Sequence, residues 1–126
     1  MIKWFERHLF TSWSITVLLA LTIFYISSQS FPKGTIGPNW AIKPFLYHLF
    51  IFFIFSLFLS ISLAKGKPNN KIFILIAVLI ALAYGISDEL HQLFVPGRAC
   101  TISDVLIDAV GVTFAGVIYA TTFKKN

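Results

Sequence analysis

Charge is what this chain lacks most: Asp, Glu, Lys and Arg make up 12% of its 126 residues, against about 25% in soluble domains. That scarcity excludes a water-soluble globule, since a chain this short cannot hide a 57% hydrophobic composition from water. The chain reads as an integral membrane protein forming one domain, residues 1–126. Cysteine occurs once, at Cys100, which excludes an intramolecular disulfide. Internal repeats, low-complexity tracts and heptad seams are absent. The net charge is +5, yet no compact basic patch exists. Lys and Arg sit singly or in pairs between apolar runs, a pattern of topology control that argues against nucleic acid as a partner. Acidic residues are half as many as basic ones. There are five, and all but Glu6 fall in Ser87–Asp108, SDELHQLFVPGRACTISDVLID.

Four apolar segments stand out: Trp13–Ser28, Phe45–Ala64, Ile72–Ser87 and Val105–Phe123. With their ends included they predict helices over about 13–30, 44–64, 71–93 and 103–123, each long enough for a hydrocarbon core about 30 Å thick. The expected fold is all-α, a four-helix transmembrane bundle. The first segment follows Lys3 and Arg7 but lacks an A-x-A-like cleavage site, so it reads as a retained helix. Trp4, Trp13 and Trp40 suit interfacial anchoring. Phe31–Lys43 is a loop rich in Pro and Gly, Lys65–Lys71 a short basic hairpin, and Pro96-Gly97 a turn before Ser103, the expected N-cap of the last helix.

Lys and Arg fix the expected orientation. Lys3, Arg7, Lys65, Lys67, Lys71, Lys124 and Lys125 lie on the termini and second loop, and only Lys33, Lys43 and Arg98 on the other two. The positive-inside rule then places both termini in the cytoplasm and the protein in the cell membrane. This topology collects polar residues at the outer level: Ser27–Ser30, Tyr47 and His48, then Tyr84, Asp88, Glu89, His91 and Gln92, then Asp104 and Asp108. The inner half is expected to hold almost none.

Carboxylates at membrane depth are costly and mark function. Asp88 shares a helical face with His91, Gln92 and Tyr84, while Glu89 is turned about a quarter of the way round. Asp104, Asp108 and Gly111 form one stripe, expected to face the third helix, with Gly111, Ala115, Gly116 and Ala120 permitting close helix approach. A helix dipole accounts for an acid at Asp104 but not for Asp108, a turn deeper. Arg98 can grip a carboxylate or a lipid phosphate. Lys43, His48, Tyr84, Gln92, Arg98 and Asp104 are the expected ligand-binding residues. If the cluster catalyses, its acid–base candidates are Asp88, Glu89, His91 and Asp108; no G-x-S-x-G or H-E-x-x-H is present. No short-spaced metal motif exists and no cofactor is expected. A divalent ion on His48 and His91 with Asp88, Glu89 or Asp108 is the alternative reading of the same side chains.

At these residues the chain resembles a known family. Asp88-Glu89-x-His91-Gln92-x-Phe94-Val95-Pro96-Gly97-Arg98, then Ser103-Asp104-Val105-Leu106 and Gly111, is similar to the signature of VanZ-like membrane proteins. Lys43, His48 and the aromatic run that follows resemble the family's upstream Lys–His segment, and Ser27–Ser30 its polar end of the first helix. The resemblance implies a small multi-helix membrane protein and a cell-envelope role of the teicoplanin-resistance type. Two departures alter the cluster's charge balance: no acidic residue follows His48, and Asp108 stands where the resemblance leads one to expect Asn.

Three functions compete. The first is an outer-leaflet polar pocket for an anionic or glycosylated membrane lipid, with Arg98 and Lys43 holding the anion. The second is a non-catalytic accessory subunit of a larger membrane complex, the cluster serving as a structural clasp among partner subunits. Ion or proton handling is the third, and an inner half without polar residues speaks against it.

Overall fold

A computed structural model describes residues 1–29, 42–97 and 101–123, with 42–44 as backbone. The expected Phe31–Lys43 turn residues, Trp40, Arg98 and Cys100 lie outside the described residues, as does the Lys43 side chain. The described residues form α1 (Ile2–Arg7), α2 (Leu9–Ser27), α3 (Ile42–Leu63), α4 (Lys71–Gln92) and α5 (Ile102–Thr122), with no strand among them. From α2 to α5, all four helices are long and apolar enough to cross a membrane.

The N-terminal segment departs from the expectation. Helix begins at Ile2 and breaks at His8, whose backbone is non-helical (φ −110°, ψ 67°), before α2 starts at Leu9. His8 caps the break: its Nδ1 lies 2.8 Å from the Trp4 carbonyl, and its ring stacks on Trp4 at 4.1 Å. Phe5 then meets Phe58 edge-on at 5.0 Å, docking α1 on α3. The α3–α4 turn carries Lys65 and Gly66 in left-handed conformations, with the Gly66 amide donating to the Ile61 carbonyl at 2.9 Å. A β-carbon on Gly66 would sit 2.2 Å from the Glu6 carbonyl oxygen, so α1 and this turn touch backbone to backbone.

Helix α3 is central and touches each of the other helices. Its tightest seam is with α5, where a β-carbon on Gly111 would lie 2.6 Å from the Leu49 carbonyl oxygen. Small residues at such seams are how helices associate in lipid, where apolar surface alone supplies little drive. The core is Ile23, Phe52, Phe55, Leu59, Ala77, Ala81 and Val112, with a second cluster of Ile61, Ala64, Ile74 and Tyr119 toward the chain termini. Large apolar residues such as Leu18, Leu21, Leu79, Val110 and Phe114 face outward, which suits a lipid solvent.

Polar burial is wider than the sequence reading allows. The half of the bundle that holds the N-terminus and the α3–α4 turn also buries Ser12, Thr16, Ser60, Ser62 and Tyr119, and Ser56 is buried midway along α3. Several of these hydroxyls donate to carbonyls: Thr16 to Ser12 at 2.8 Å, Ser62 to Phe58 at 2.8 Å, Ser56 across to Val112 at 3.0 Å. Satisfied in this way, a serine disappears into an apolar run. Above them Phe52, fully buried, lies parallel to the His48 ring at 6.3 Å and packs with Phe55 and Tyr84.

Candidate functional site

At one end of the bundle α2 and α4 finish while α3 and α5 begin, and there the acidic residues of α4 and α5 gather. Helix α5 starts on Thr101, not on the expected Ser103. The Thr101 hydroxyl accepts from the Asp104 amide at 3.3 Å, and Ser103 donates to that same hydroxyl at 3.2 Å. Thr101 has the extended backbone an N-cap requires. Its own amide donates to Glu89 Oε2 at 3.4 Å, tying the end of α4 to the start of α5.

His48 and Asp108 meet across the α3–α5 seam, Nδ1 to Oδ1 at 2.8 Å, with 5% and 2% of each residue exposed. Gly85 on α4 faces the same carboxylate, so Asp108 lies between two helices. Glu89 is 1% exposed. Its Oε1 and the Asp108 Oδ2 are buried without a hydrogen-bond partner among the described residues. Donor atoms of His48, Glu89 and Asp104 lie within 4.8 Å of one another. Asp88 is buried beside this group, close enough to act electrostatically on Asp108 and Tyr84, and Gln92 is buried one turn beyond it.

The expected face of α4 is corrected here. Tyr84 and His91 point to α2 instead of joining the carboxylates of α5: the Tyr84 hydroxyl donates to the Ala20 carbonyl at 2.5 Å, and His91 Nε2 pairs with Ser28 at 2.9 Å over a stacked Phe24. Glu89, set a quarter-turn away in the sequence reading, is the α4 residue at the centre. The signal was legible. Ala77, Ala81, Gly85 and Glu89 follow at four-residue steps, so the small-residue seam buried against α3 and α5 runs directly into Glu89. Arg98 and the Lys43 side chain lie outside the described residues.

Chemically, the group holds two buried carboxylate oxygens with unused acceptor capacity, on Glu89 and Asp108, beside an imidazole that the other oxygen of Asp108 holds in place. Such oxygens can accept from hydroxyl or ammonium groups or ligate a cation, and leaving them without a partner in a low-dielectric site is costly. Among the described residues the His48–Asp108 contact is the sole ion pair.

A protein-family model described as VanZ/LLP1 matches residues 3–124. No curated protein and no solved structure matches the chain.

Proposed function

The chain belongs to the VanZ/LLP1 family, and on that premise we propose that its polar end binds an anionic or glycosylated lipid head group at the outer leaflet. The role is one in the cell envelope, of the teicoplanin-resistance type. One observation carries the reading: Glu89 Oε1 and Asp108 Oδ2 are buried beside His48 with no hydrogen-bond partner among the described residues. Sugar hydroxyls suit such acceptors, with Asp88, Gln92 and Asp104 at the margin. Arg98 and Lys43 supply positive charge for a phosphate. The Lys and Arg distribution supports an outward-facing site with both termini cytoplasmic.

Native mass spectrometry of the chain in lipid nanodiscs tests this. Parent protein should retain glycosylated or anionic lipid, while Glu89→Gln and Arg98→Ala release it with the fold intact. Equal retention by all three proteins would reject the reading.

A second reading, an accessory subunit of a membrane complex, draws support from the ties among helices at this end. Tyr84 to Ala20, His91 to Ser28, His48 to Asp108 and Thr101 to Glu89 together fasten α2 to α4, α3 to α5 and α4 to α5. Under it Asp88→Asn impairs assembly, and the protein purifies with stoichiometric partner subunits in place of lipid.

A further inference from the structure

His48, Glu89 and Asp104 belong to three different spanning helices, yet each offers a donor atom within 4.8 Å of the other two. We propose that they form a site for a divalent transition cation, zinc or manganese. His48 is already arranged as a ligand. Asp108 holds its Nδ1 at 2.8 Å, which fixes the ring and leaves Nε2 for an ion. A carboxylate on the far nitrogen is the usual outer partner of a metal-binding histidine.

Glu89 is the independent pointer. It is buried to 1% exposure, and its Oε1 has no hydrogen-bond partner among the described residues. An ionised carboxylate in that position is unfavourable unless a cation meets it. Glu89, Asp104 and Asp108 together bring three carboxylates to one imidazole, and a doubly charged ion offsets two of those charges.

The donor set also selects the ion. Magnesium and calcium favour all-oxygen shells, whereas one imidazole with carboxylates suits zinc or manganese. Bonds of 2.0–2.2 Å put donors on one ion roughly 3–4.3 Å apart, so the side chains draw in by no more than about 2 Å. Three protein ligands leave a coordination position open. That position is where a phosphate oxygen or a water would sit, making the ion itself an anion receptor. The inference needs only the donor geometry, and it stands or falls without lipid.

The test uses the full chain in detergent, stripped with chelator and titrated with Mn2+ and then Zn2+ in the absence of added lipid. One ion per chain is expected. Glu89→Gln and Asp104→Asn should weaken binding on the order of 100-fold or more, and Asp108→Asn by about 10–100-fold, the effect of losing an outer-shell partner. His91→Gln should bind like the parent, since His91 faces Ser28. Pulsed electron paramagnetic resonance of bound Mn2+ should show one imidazole nitrogen coupling. Absence of a stoichiometric ion in helical, monodisperse parent would overturn the proposal, as would parent-like binding by both carboxylate variants. If those variants do not fold, the nitrogen coupling in the parent decides: present, it supports the site; absent, it overturns it. Metal binding that persists while nanodisc lipid retention fails separates this inference from the head-group reading.

Discussion

Gly111→Ala is a small change with a consequence for the site that can be worked from geometry. The added methyl would stand 2.6 Å from the Leu49 carbonyl oxygen and 3.3 Å from the Phe53 nitrogen, both backbone atoms of α3 that cannot rotate away. Carbon–oxygen contacts settle at about 3.3–3.6 Å, so α5 has to retreat by about 0.7 Å. Asp108 lies three residues earlier on α5, and His48 directly precedes Leu49. The same retreat lengthens their 2.8 Å contact toward about 3.5 Å, where a hydrogen bond is lost. Overpacking of this kind costs about 1–3 kcal/mol, and a charge-assisted hydrogen bond adds about 1.5–3 kcal/mol. Alanine's better helix propensity offsets up to about 1 kcal/mol. A net loss of about 1.5–6 kcal/mol should appear in reversible unfolding in mixed detergent–SDS micelles. Gly85→Ala is the control, because its methyl would meet Asp108 and Phe52 at an ordinary 3.4 Å. Parent-like stability of Gly111→Ala, or an equal loss in Gly85→Ala, would refute the reasoning.

Removing one partner of the buried His48–Asp108 pair should cost about 3–5 kcal/mol, because the other stays buried without compensation; in a double-mutant cycle by the same unfolding assay, His48→Phe and Asp108→Leu combined should cost less than the sum of the two singles. Thr101→Val should lose about 0.5–2 kcal/mol as a missing N-cap, while Ser103→Ala loses little. The reverse ranking would restore Ser103 as the cap. Gly66→Ala forces an added methyl to within 2.2 Å of the Glu6 carbonyl oxygen at a φ of +66°. It should release α1, seen as faster amide exchange confined to residues 2–8 and the α3–α4 turn, with spanning-helix protection unchanged.

The four spanning helices could be read directly from the sequence, because about 20 apolar residues in a row have few alternatives to crossing a membrane. α1 could not. Its Lys3, Glu6 and Arg7 interrupt the apolar pattern, and its docking depends on Phe58 and Gly66, some 50 to 60 residues away. The grouping of polar residues at one bundle end was legible because four segments placed them at one level. Their sorting into partners was less so. One residue rotates a helix by about 100°, enough to exchange Glu89 for Tyr84 and His91 at the centre. Only the Ala77–Ala81–Gly85 seam marks which side faces α3 and α5. Thr101 rather than Ser103 caps α5 because both hydroxyls suit the role, and the backbone conformation at Thr101 decides it. Buried serines such as Ser56 and Ser62 escaped notice because hydroxyls bonded to backbone carbonyls leave no trace in hydropathy.

Phe52 divides the buried polar side chains of α3 into two groups. On α3, His48, Ser56 and Ser60 form one buried line at multiples of four residues. Phe52 completes that line, fully buried and stacked under the His48 ring. A ring there interrupts the row of hydroxyls and acids with a plug of low dielectric. Charge held at His48 and Asp108 therefore meets an apolar ring one helical turn further along α3. The acidic end of the bundle and the hydroxyls beyond it are thereby kept as two separate polar groups in one helix bundle.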